Sequence, residues 1–180
     1  MLSEPGNRLI ILIAAAALSI ERICYVWTWR HPESFRGFCD RAGLGEPVIA
    51  LRRLFYCFKG IQLIVFIGWC LFYSDGFPLL YSRQMLSLAT GVALIIVGQV
   101  LNFGVFYRLG TTGVFYGNKF GYEIPWCDQL PFSLFKHPQY VGALVSIWGF
   151  FLAMRFPSMD WFLLPSLETV YYALGAYLEQ

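Results

Sequence analysis

Five long apolar stretches dominate this chain of 180 residues. They run over residues 9–29, 54–73, 86–107, 139–154 and 161–178. Each approaches the roughly 20 residues that an α-helix needs to cross the hydrocarbon core of a bilayer. Because lipid-exposed backbone must satisfy its polar groups internally, such segments are helical. The pattern predicts an all-α, polytopic integral membrane bundle of four to five helices, which forms a single domain over residues 1–180.

Composition excludes several classes of protein. Only 13% of the residues are charged and the mean hydropathy is +0.57, which is too apolar for an ordinary soluble domain. The net charge of +2 comes without a basic run, so we expect no nucleic-acid partner. The five cysteines are widely spaced and include no C-x-x-C pair, which argues against a disulfide framework and against a bound metal.

The first and the last apolar segments raise separate questions. Glu21 and Arg22 interrupt the first segment, so the sequence leaves open whether it spans the membrane or is re-entrant. The last two segments are joined only by "RFPSMD", residues 155–160, which predicts a tight helical hairpin at the C-terminal end.

The basic residues predict an orientation. Residues 30–53 contain five arginines and residues 108–137 contain three basic side chains, whereas residues 74–85 contain only Arg83. By the positive-inside rule the two basic connections face the cytosol. Five spans then place the C-terminus in the cytosol, and a re-entrant first segment places both termini there.

The connection over residues 108–140 is rich in glycine and aromatic side chains. Its glycines recur every three or four residues, a spacing that allows either close approach of a ligand or tight helix packing. These glycines are Gly110, Gly113, Gly117 and Gly121, and the aromatic residues among them are Phe115, Tyr116, Phe120 and Tyr122.

At the end of this connection, "KHPQY" predicts the start of a helix. Pro138 suits the first helical position, which makes His137 the N-cap and places Tyr140 about one turn inside. The positive end of a helix dipole attracts an anionic ligand group. The alternative is that both side chains are interfacial anchors at the membrane surface.

The last segment carries polar residues on one helical stripe. A carboxylate at membrane depth normally faces a partner or a watery cavity. For Glu168 the sequence leaves open a structural pairing with Arg155 or Arg108, and Glu179 could be a solvated terminal acid. The stripe consists of Glu168, Tyr172, Gly175 and Glu179.

From about Leu88 to its end, the sequence resembles the phospholipid N-methyltransferases. The resemblance rests on "IVGQVL", "RLGTTGVFYGNKFGY", "LPFSLFKHPQYVG" and "YLEQ", which follow the order and spacing of that family's motifs. His137 stands where the family has asparagine and is similar to the histidine of the isoprenylcysteine carboxyl methyltransferases. The resemblance implies S-adenosyl-L-methionine as cofactor and phosphatidylethanolamine or its methylated forms as substrate.

The resemblance also implies site residues. Catalytic roles fall to Glu179, His137 and Tyr140. The implied cofactor-binding residues are Ile96, Val97, Gly98, Gln99, Gly113, Gly117, Tyr122, His137, Tyr140, Glu179 and Gln180. The aromatic faces expected to stabilise a methylated headgroup through cation–π contacts are Tyr116, Phe120, Tyr122 and Trp126.

The location and the function follow as expectations with open alternatives. The active site faces the cytosol, in the endoplasmic reticulum if the source is eukaryotic and in the cytoplasmic membrane if it is bacterial. A carboxyl or other small-acceptor methyltransferase of the same fold is one alternative, and a non-catalytic membrane scaffold is another. The oligomeric state is left open.

Overall fold

A computed structural model describes residues 5–73, 85–125 and 127–179. Within these ranges the chain forms six α-helices and one short 3-10 helix, with no β-strand. The α-helices are α1 (Pro5–Arg30), α2 (Pro32–Arg41), α3 (Pro47–Phe72), α4 (Met85–Val114), α5 (Pro138–Met154) and α6 (Leu163–Leu178), and the 3-10 helix covers Gly117–Phe120. The predicted all-α membrane bundle is confirmed.

Among the described residues, three helices are long and apolar enough to cross a membrane. These are α1 and α3, with 26 residues each, and α4, with 30 residues. The helix α5 is also apolar but has only 17 residues. Because α1 continues through Glu21 and Arg22 without a break, the first predicted segment is one helix of spanning length.

Two helices extend several residues beyond the apolar segments marked in the sequence. The helix α3 begins at Pro47 rather than residue 54, since proline favours the first helical turn and the exposed Arg52 and Arg53 can extend away from the apolar core. The helix α4 continues to Val114 rather than residue 107. It kinks at Gly110, whose φ of 63° lies in the left-handed region that glycine adopts without strain.

The helix α2 has no counterpart among the predicted segments. It is short and polar, with Phe35 and Cys39 as its buried residues. These residues are four positions apart and therefore lie on one face, which packs against the bundle. A guanidinium N–H of Arg36 donates to the carbonyl oxygen of Phe120 at 3.3 Å and links α2 to the 3-10 helix.

Two pairs of glycines allow α4 and α5 to pack closely. A Cβ atom on Gly91 would lie 2.6 Å from the carbonyl oxygen of Gly149, and one on Gly149 would lie 2.6 Å from that of Gly91. In the second pair, a Cβ atom on Gly142 would lie 2.7 Å from the carbonyl oxygen of Gly98. The antiparallel helices thus approach each other to a distance that excludes even a methyl group, as small residues permit in membrane bundles.

An ion pair closes the hairpin between α5 and α6. The Arg155 guanidinium donates two hydrogen bonds to Asp160, at 3.0 and 2.6 Å, and the indole N–H of Trp69 donates to the same carboxylate at 2.8 Å. Asp160 is 2% exposed, so the carboxylate is held by α3 as well as by the turn. The predicted tight hairpin therefore forms, with α3 fixed to its turn.

Candidate active site

A cavity of about 1050 Å³ lies among α1, α3, α4, α5 and α6 and the connection after α4. Its wall contains the start of α5 and the residue that follows α6, because the short turn at residues 155–160 sets these two helices antiparallel. This arrangement brings together two parts of the chain that the sequence analysis selected independently.

Glu179 is held at the cavity wall by two phenols. The hydroxyl of Tyr140 donates to one carboxylate oxygen at 2.6 Å, and the hydroxyl of Tyr116 donates to the other at 2.9 Å. Among the described residues no ion pair involves Glu179. The two hydrogen bonds fix the carboxylate while its remaining lone pairs stay available to a cationic or hydroxyl-bearing ligand.

Tyr116 adopts an unusual backbone conformation to make this contact. Its φ of 57° is the only positive φ of a non-glycine residue in the described chain. Such a conformation costs about 1–3 kcal/mol and persists where the surroundings determine it. Edge-on contacts with Tyr25 and Trp29 hold the ring, with centroid distances of 5.8 and 5.3 Å. Tyr116 was expected from the sequence as an aromatic face, whereas its hydrogen bond to Glu179 was not expected.

His137 is the N-cap residue of α5 and Pro138 follows it, as predicted. Its side chain makes no capping hydrogen bond. The ring stacks on that of Tyr140 with centroids 5.8 Å apart, and Nε2 is buried without a hydrogen-bond partner among the described residues. Burial, together with the neighbouring Lys136, lowers the pKa of His137 below its ordinary value of 6.5 despite the opposing effect of Glu179.

The cavity wall contains some of the predicted cofactor-binding residues and not others. Gln99, Gly113, His137, Tyr140 and Glu179 line it. The remaining predicted residues with a described position, which do not line it, are Ile96, Val97, Gly98, Gly117 and Tyr122. Gln180 lies outside the described residues.

The position of Gly98 differs from the one expected for a cofactor contact. It is buried between α4 and α5, against Gly142 and Ser146, because the packing of the two helices uses the space that its missing side chain leaves. Its neighbours Ile96 and Val97 are 57% and 52% exposed on the outer face of α4. Gly117 is buried against Thr112 within a turn.

The predicted aromatic faces are also divided. Tyr116 lines the cavity, whereas Phe120 packs against Phe35 and Tyr122 is 43% exposed. Trp126 lies outside the described residues. Of the described members of this set, only Tyr116 is at the cavity, so an aromatic contact with a bound cation would depend on it and on the rings of other helices.

A polar cluster on α1, α3 and α6 lies next to this site and was not predicted as part of it. The Lys59 ammonium is 3.1 Å from a carboxylate oxygen of Glu21 and donates to the hydroxyl of Tyr172 at 3.3 Å and to Gln62 at 3.1 Å. Arg22 pairs with Glu21 at 3.0 Å. The charged residues inside apolar segments could have indicated this cluster, because such charges normally have a partner. The partners could not be identified from the sequence, since they lie far apart along the chain.

Glu168 has a different partner from the two that the sequence suggested. The amide of Gln62 donates to its carboxyl group at 2.6 Å. Arg155 is paired with Asp160, and Arg108 donates to the carbonyl oxygen of Leu130 instead. Glu168 is therefore held by α3 within the bundle, and it is 1% exposed.

Comparisons with known proteins found a matching family model and a curated relative. The family model for phospholipid methyltransferases matches residues 86–180, which include both Tyr140 and Glu179. A curated relative, phosphatidyl-N-methylethanolamine N-methyltransferase of Arabidopsis thaliana, is 30% identical over 141 residues, covering 76% of this chain and 75% of the relative. No solved structure matches the chain significantly.

Proposed function

This chain belongs to the phospholipid methyltransferase family, and we propose that it transfers a methyl group from S-adenosylmethionine to the amine of a phosphatidylethanolamine-type lipid, towards phosphatidylcholine. One observation carries the proposal. Tyr140 and Glu179, which lie near opposite ends of the C-terminal hairpin sequence, are hydrogen-bonded at 2.6 Å on the wall of a single cavity. The start of α5 and the residue after α6 thus meet at one carboxylate.

The residues present fit a cationic donor. S-adenosylmethionine supplies an electrophilic methyl group on a sulfonium centre when it is bound. Glu179, which has no ion-pair partner among the described residues, would hold a positively charged or hydroxyl-bearing part of that molecule. Asn102, also in the cavity wall, has a buried side-chain oxygen without a partner in the described chain and offers a further acceptor.

Tyr116 and Tyr140 orient Glu179 because both phenols donate to it. We assign the proton-accepting role to His137. Glu179 and Tyr140 are less suited to this role, because the Glu179 oxygens already accept hydrogen bonds from the two phenols and the Tyr140 hydroxyl acts as a donor. Because its pKa lies below 6.5, His137 is neutral near pH 7 and has a free lone pair on one ring nitrogen. Positioning of the two reactants by the cavity supplies the rest of the rate enhancement.

The acceptor is a membrane lipid. The Arabidopsis relative is named for phosphatidyl-N-methylethanolamine, and the described part of the chain contains three helices of membrane-spanning length and composition. We infer that the lipid headgroup reaches the cavity from the bilayer and that the donor enters from the cytosol. The basic connections support this orientation, which in a eukaryotic source corresponds to the endoplasmic reticulum membrane and in a bacterium to the cytoplasmic membrane.

Product analysis tests the proposal. Membranes that contain the chain are incubated with S-adenosylmethionine labelled in its methyl group, together with phosphatidylethanolamine, its monomethyl form or its dimethyl form. Label should appear in the next methylated phospholipid. Label in a prenylcysteine methyl ester would instead identify a carboxyl methyltransferase, and absence of any labelled product would support the non-catalytic scaffold.

A variant of Glu179 links the product to this site. Loss of a hydrogen bond to a charged group costs about 1.5–3 kcal/mol, so Glu179→Gln should weaken donor binding roughly 10- to 100-fold. Glu33→Gln is the matched control, because the Glu33 side chain is 76% exposed on α2, where it pairs with Arg36 at 3.5 Å. Unchanged donor affinity in Glu179→Gln would contradict the assignment of Glu179.

A further inference from the structure

Two cations in the cavity wall share one carboxylate. Arg22 on α1 and Lys59 on α3 both pair with the same oxygen of Glu21, at 3.0 and 3.1 Å. Glu168, the other acid of this cluster, accepts from Gln62 and forms no ion pair in the part of the chain that the structure describes. The ion-paired part of the cluster therefore carries one more positive than negative charge.

Arg22 lies close to the donor end of the cavity. Its guanidinium carbon is 3.8 Å from the ring centroid of Tyr172 and 5.7 Å from that of Tyr140. The hydroxyl of the same Tyr140 bonds to Glu179. A single tyrosine ring thus separates a carboxylate that suits a cationic donor from a guanidinium that suits an anion.

The Arg22 guanidinium also has an N–H group without a hydrogen-bond acceptor among the described residues. Arg22 is 8% exposed, and its Nε atom is buried without a hydrogen-bond partner among the described residues. A buried donor without an acceptor is costly, and a cation at membrane depth normally faces a partner or a watery cavity. Arg22 lines the cavity, so a ligand anion could complete its hydrogen bonds.

We propose that Arg22 and Lys59 form the subsite for the phosphate group of the acceptor lipid. This inference rests on the proposed function. In an ethanolamine phospholipid, two carbons and one ester oxygen separate the amine nitrogen from phosphorus, so the phosphate must bind close to the transferred methyl group. Arginine forms charge-assisted, forked hydrogen bonds with phosphate oxygens, and lysine adds a point charge. Arg22 and Lys59 together carry one positive charge more than their shared partner Glu21 neutralises, which matches the single negative charge of a phosphodiester.

The subsite lies on helices that precede the region matched by the family model, which begins at residue 86. The donor end is built mainly from α4, α5, α6 and their connections, and the phosphate end from α1 and α3. The proposal thus assigns recognition of the acceptor headgroup to the N-terminal helices.

A comparison of two acceptors tests the proposal. The first is phosphatidyl-N-methylethanolamine, and the second is a long-chain alkyl ether of N-methylethanolamine, which has the same secondary amine and an apolar tail but no phosphate. In Arg22→Gln we expect kcat/KM for the phospholipid to fall about 10- to 100-fold, the range for loss of a hydrogen bond to a charged group. The kcat/KM for the ether and the KM for S-adenosylmethionine should stay the same.

Three further variants make the test specific. The preference measured here is the ratio of kcat/KM for the phospholipid to kcat/KM for the ether. Lys59→Gln should lower this ratio by a smaller factor than Arg22→Gln does. Arg22→Lys keeps the charge and should therefore retain a higher ratio than Arg22→Gln. Arg53→Gln is the matched control, since Arg53 is exposed on α3 and a general attraction to anionic lipid would involve it equally. Arg53→Gln should keep the wild-type ratio of kcat/KM for the phospholipid to kcat/KM for the ether.

The outcomes separate the possible failures. If Arg22→Gln and Lys59→Gln keep the wild-type ratio between the two acceptors, or lose both activities equally while still binding donor, the phosphate subsite is refuted. If Arg22→Gln does not fold, as judged by donor binding, the ratios of Lys59→Gln and Arg22→Lys decide. A wild-type protein that methylates neither acceptor would refute the proposed function itself.

Discussion

Replacing Gly98 by alanine should destabilise the protein without changing its affinity for the donor. The added Cβ atom would overlap the carbonyl oxygen of Gly142 and approach the backbone nitrogen of Ser146 to 2.9 Å. Both of these are backbone atoms on α5, which cannot rotate away as a side chain would. The helices must separate locally, and the close contact between α4 and α5 is lost.

The size of the effect can be worked from two opposing terms. Overpacking a close contact costs about 1–3 kcal/mol, and the backbone overlap places Gly98→Ala near the upper value. Alanine regains about 1 kcal/mol through its higher helix propensity. The net loss of about 2 kcal/mol corresponds to a fall of about 4–8 °C in Tm for a chain of this length.

Thermal unfolding of the purified protein in detergent and titration with S-adenosylmethionine measure the two properties separately. Gly91→Ala should lose stability similarly, because its Cβ would lie 2.6 Å from the carbonyl oxygen of Gly149. Gly60→Ala is the control: nothing lies within 4 Å of its added Cβ, so Tm should stay or rise. If Gly98→Ala is as stable as Gly60→Ala but binds the donor weakly, Gly98 contacts the donor and the packing argument is refuted.

Two other perturbations test the hairpin and the start of α5. Asp160→Asn removes the charged partner of the buried Arg155 and should lower the free energy of unfolding by about 3–5 kcal/mol. Glu33→Gln removes one member of an exposed pair and should lower it by at most about 1 kcal/mol. Equal denaturation midpoints for the two variants would contradict this prediction. Because His137 has a lowered pKa in the folded state, the unfolded state binds its proton more readily, so stability should fall as pH drops below 6.5. His137→Asn should reduce this acid-induced loss of Tm, and an unchanged loss would show that other groups cause it.

The sequence was sufficient to predict the meeting of Tyr140 and Glu179. The six residues "RFPSMD" allow only a hairpin, and α5 and α6 have similar lengths of 17 and 16 residues. The beginning of α5 must therefore lie at the same end of the bundle as the end of α6. Connectivity alone determines this proximity, which is why it could be predicted without any knowledge of side-chain packing.

The face of α4 on which Gly98 lies could not be predicted in the same way. In a membrane helix the lipid-facing and helix-facing residues are both apolar, so hydrophobic periodicity does not distinguish them. Ile96 and Val97 are exposed while the next residue, Gly98, is buried. Only the position of the facing glycine on α5 shows that Gly98 serves helix packing.

The partners of the buried charges were also beyond sequence reasoning. Glu21 and Lys59 are 38 residues apart, and Lys59 and Tyr172 are 113 residues apart. Each of these contacts depends on how whole helices pack, and a charge in an apolar segment indicates only that some partner exists. The same limit explains why the sequence suggested arginines as possible partners of Glu168 and did not suggest Gln62.

The helices before residue 86 carry buried charges that an anchoring role would not require. The match to the family model covers residues 86–180, whereas the similarity to the Arabidopsis enzyme extends over 141 residues and therefore continues into the helices before residue 86. Helices that only anchored the chain would need apolar surface but no buried ions, since a buried ion pair contributes little net stability compared with apolar residues of the same volume. The presence of Arg22 and Lys59 in the wall of the cavity is better explained by a charged ligand than by folding. If variants of both residues bind donor normally and differ from the wild type only in Tm, that explanation is wrong and the cluster has a structural role.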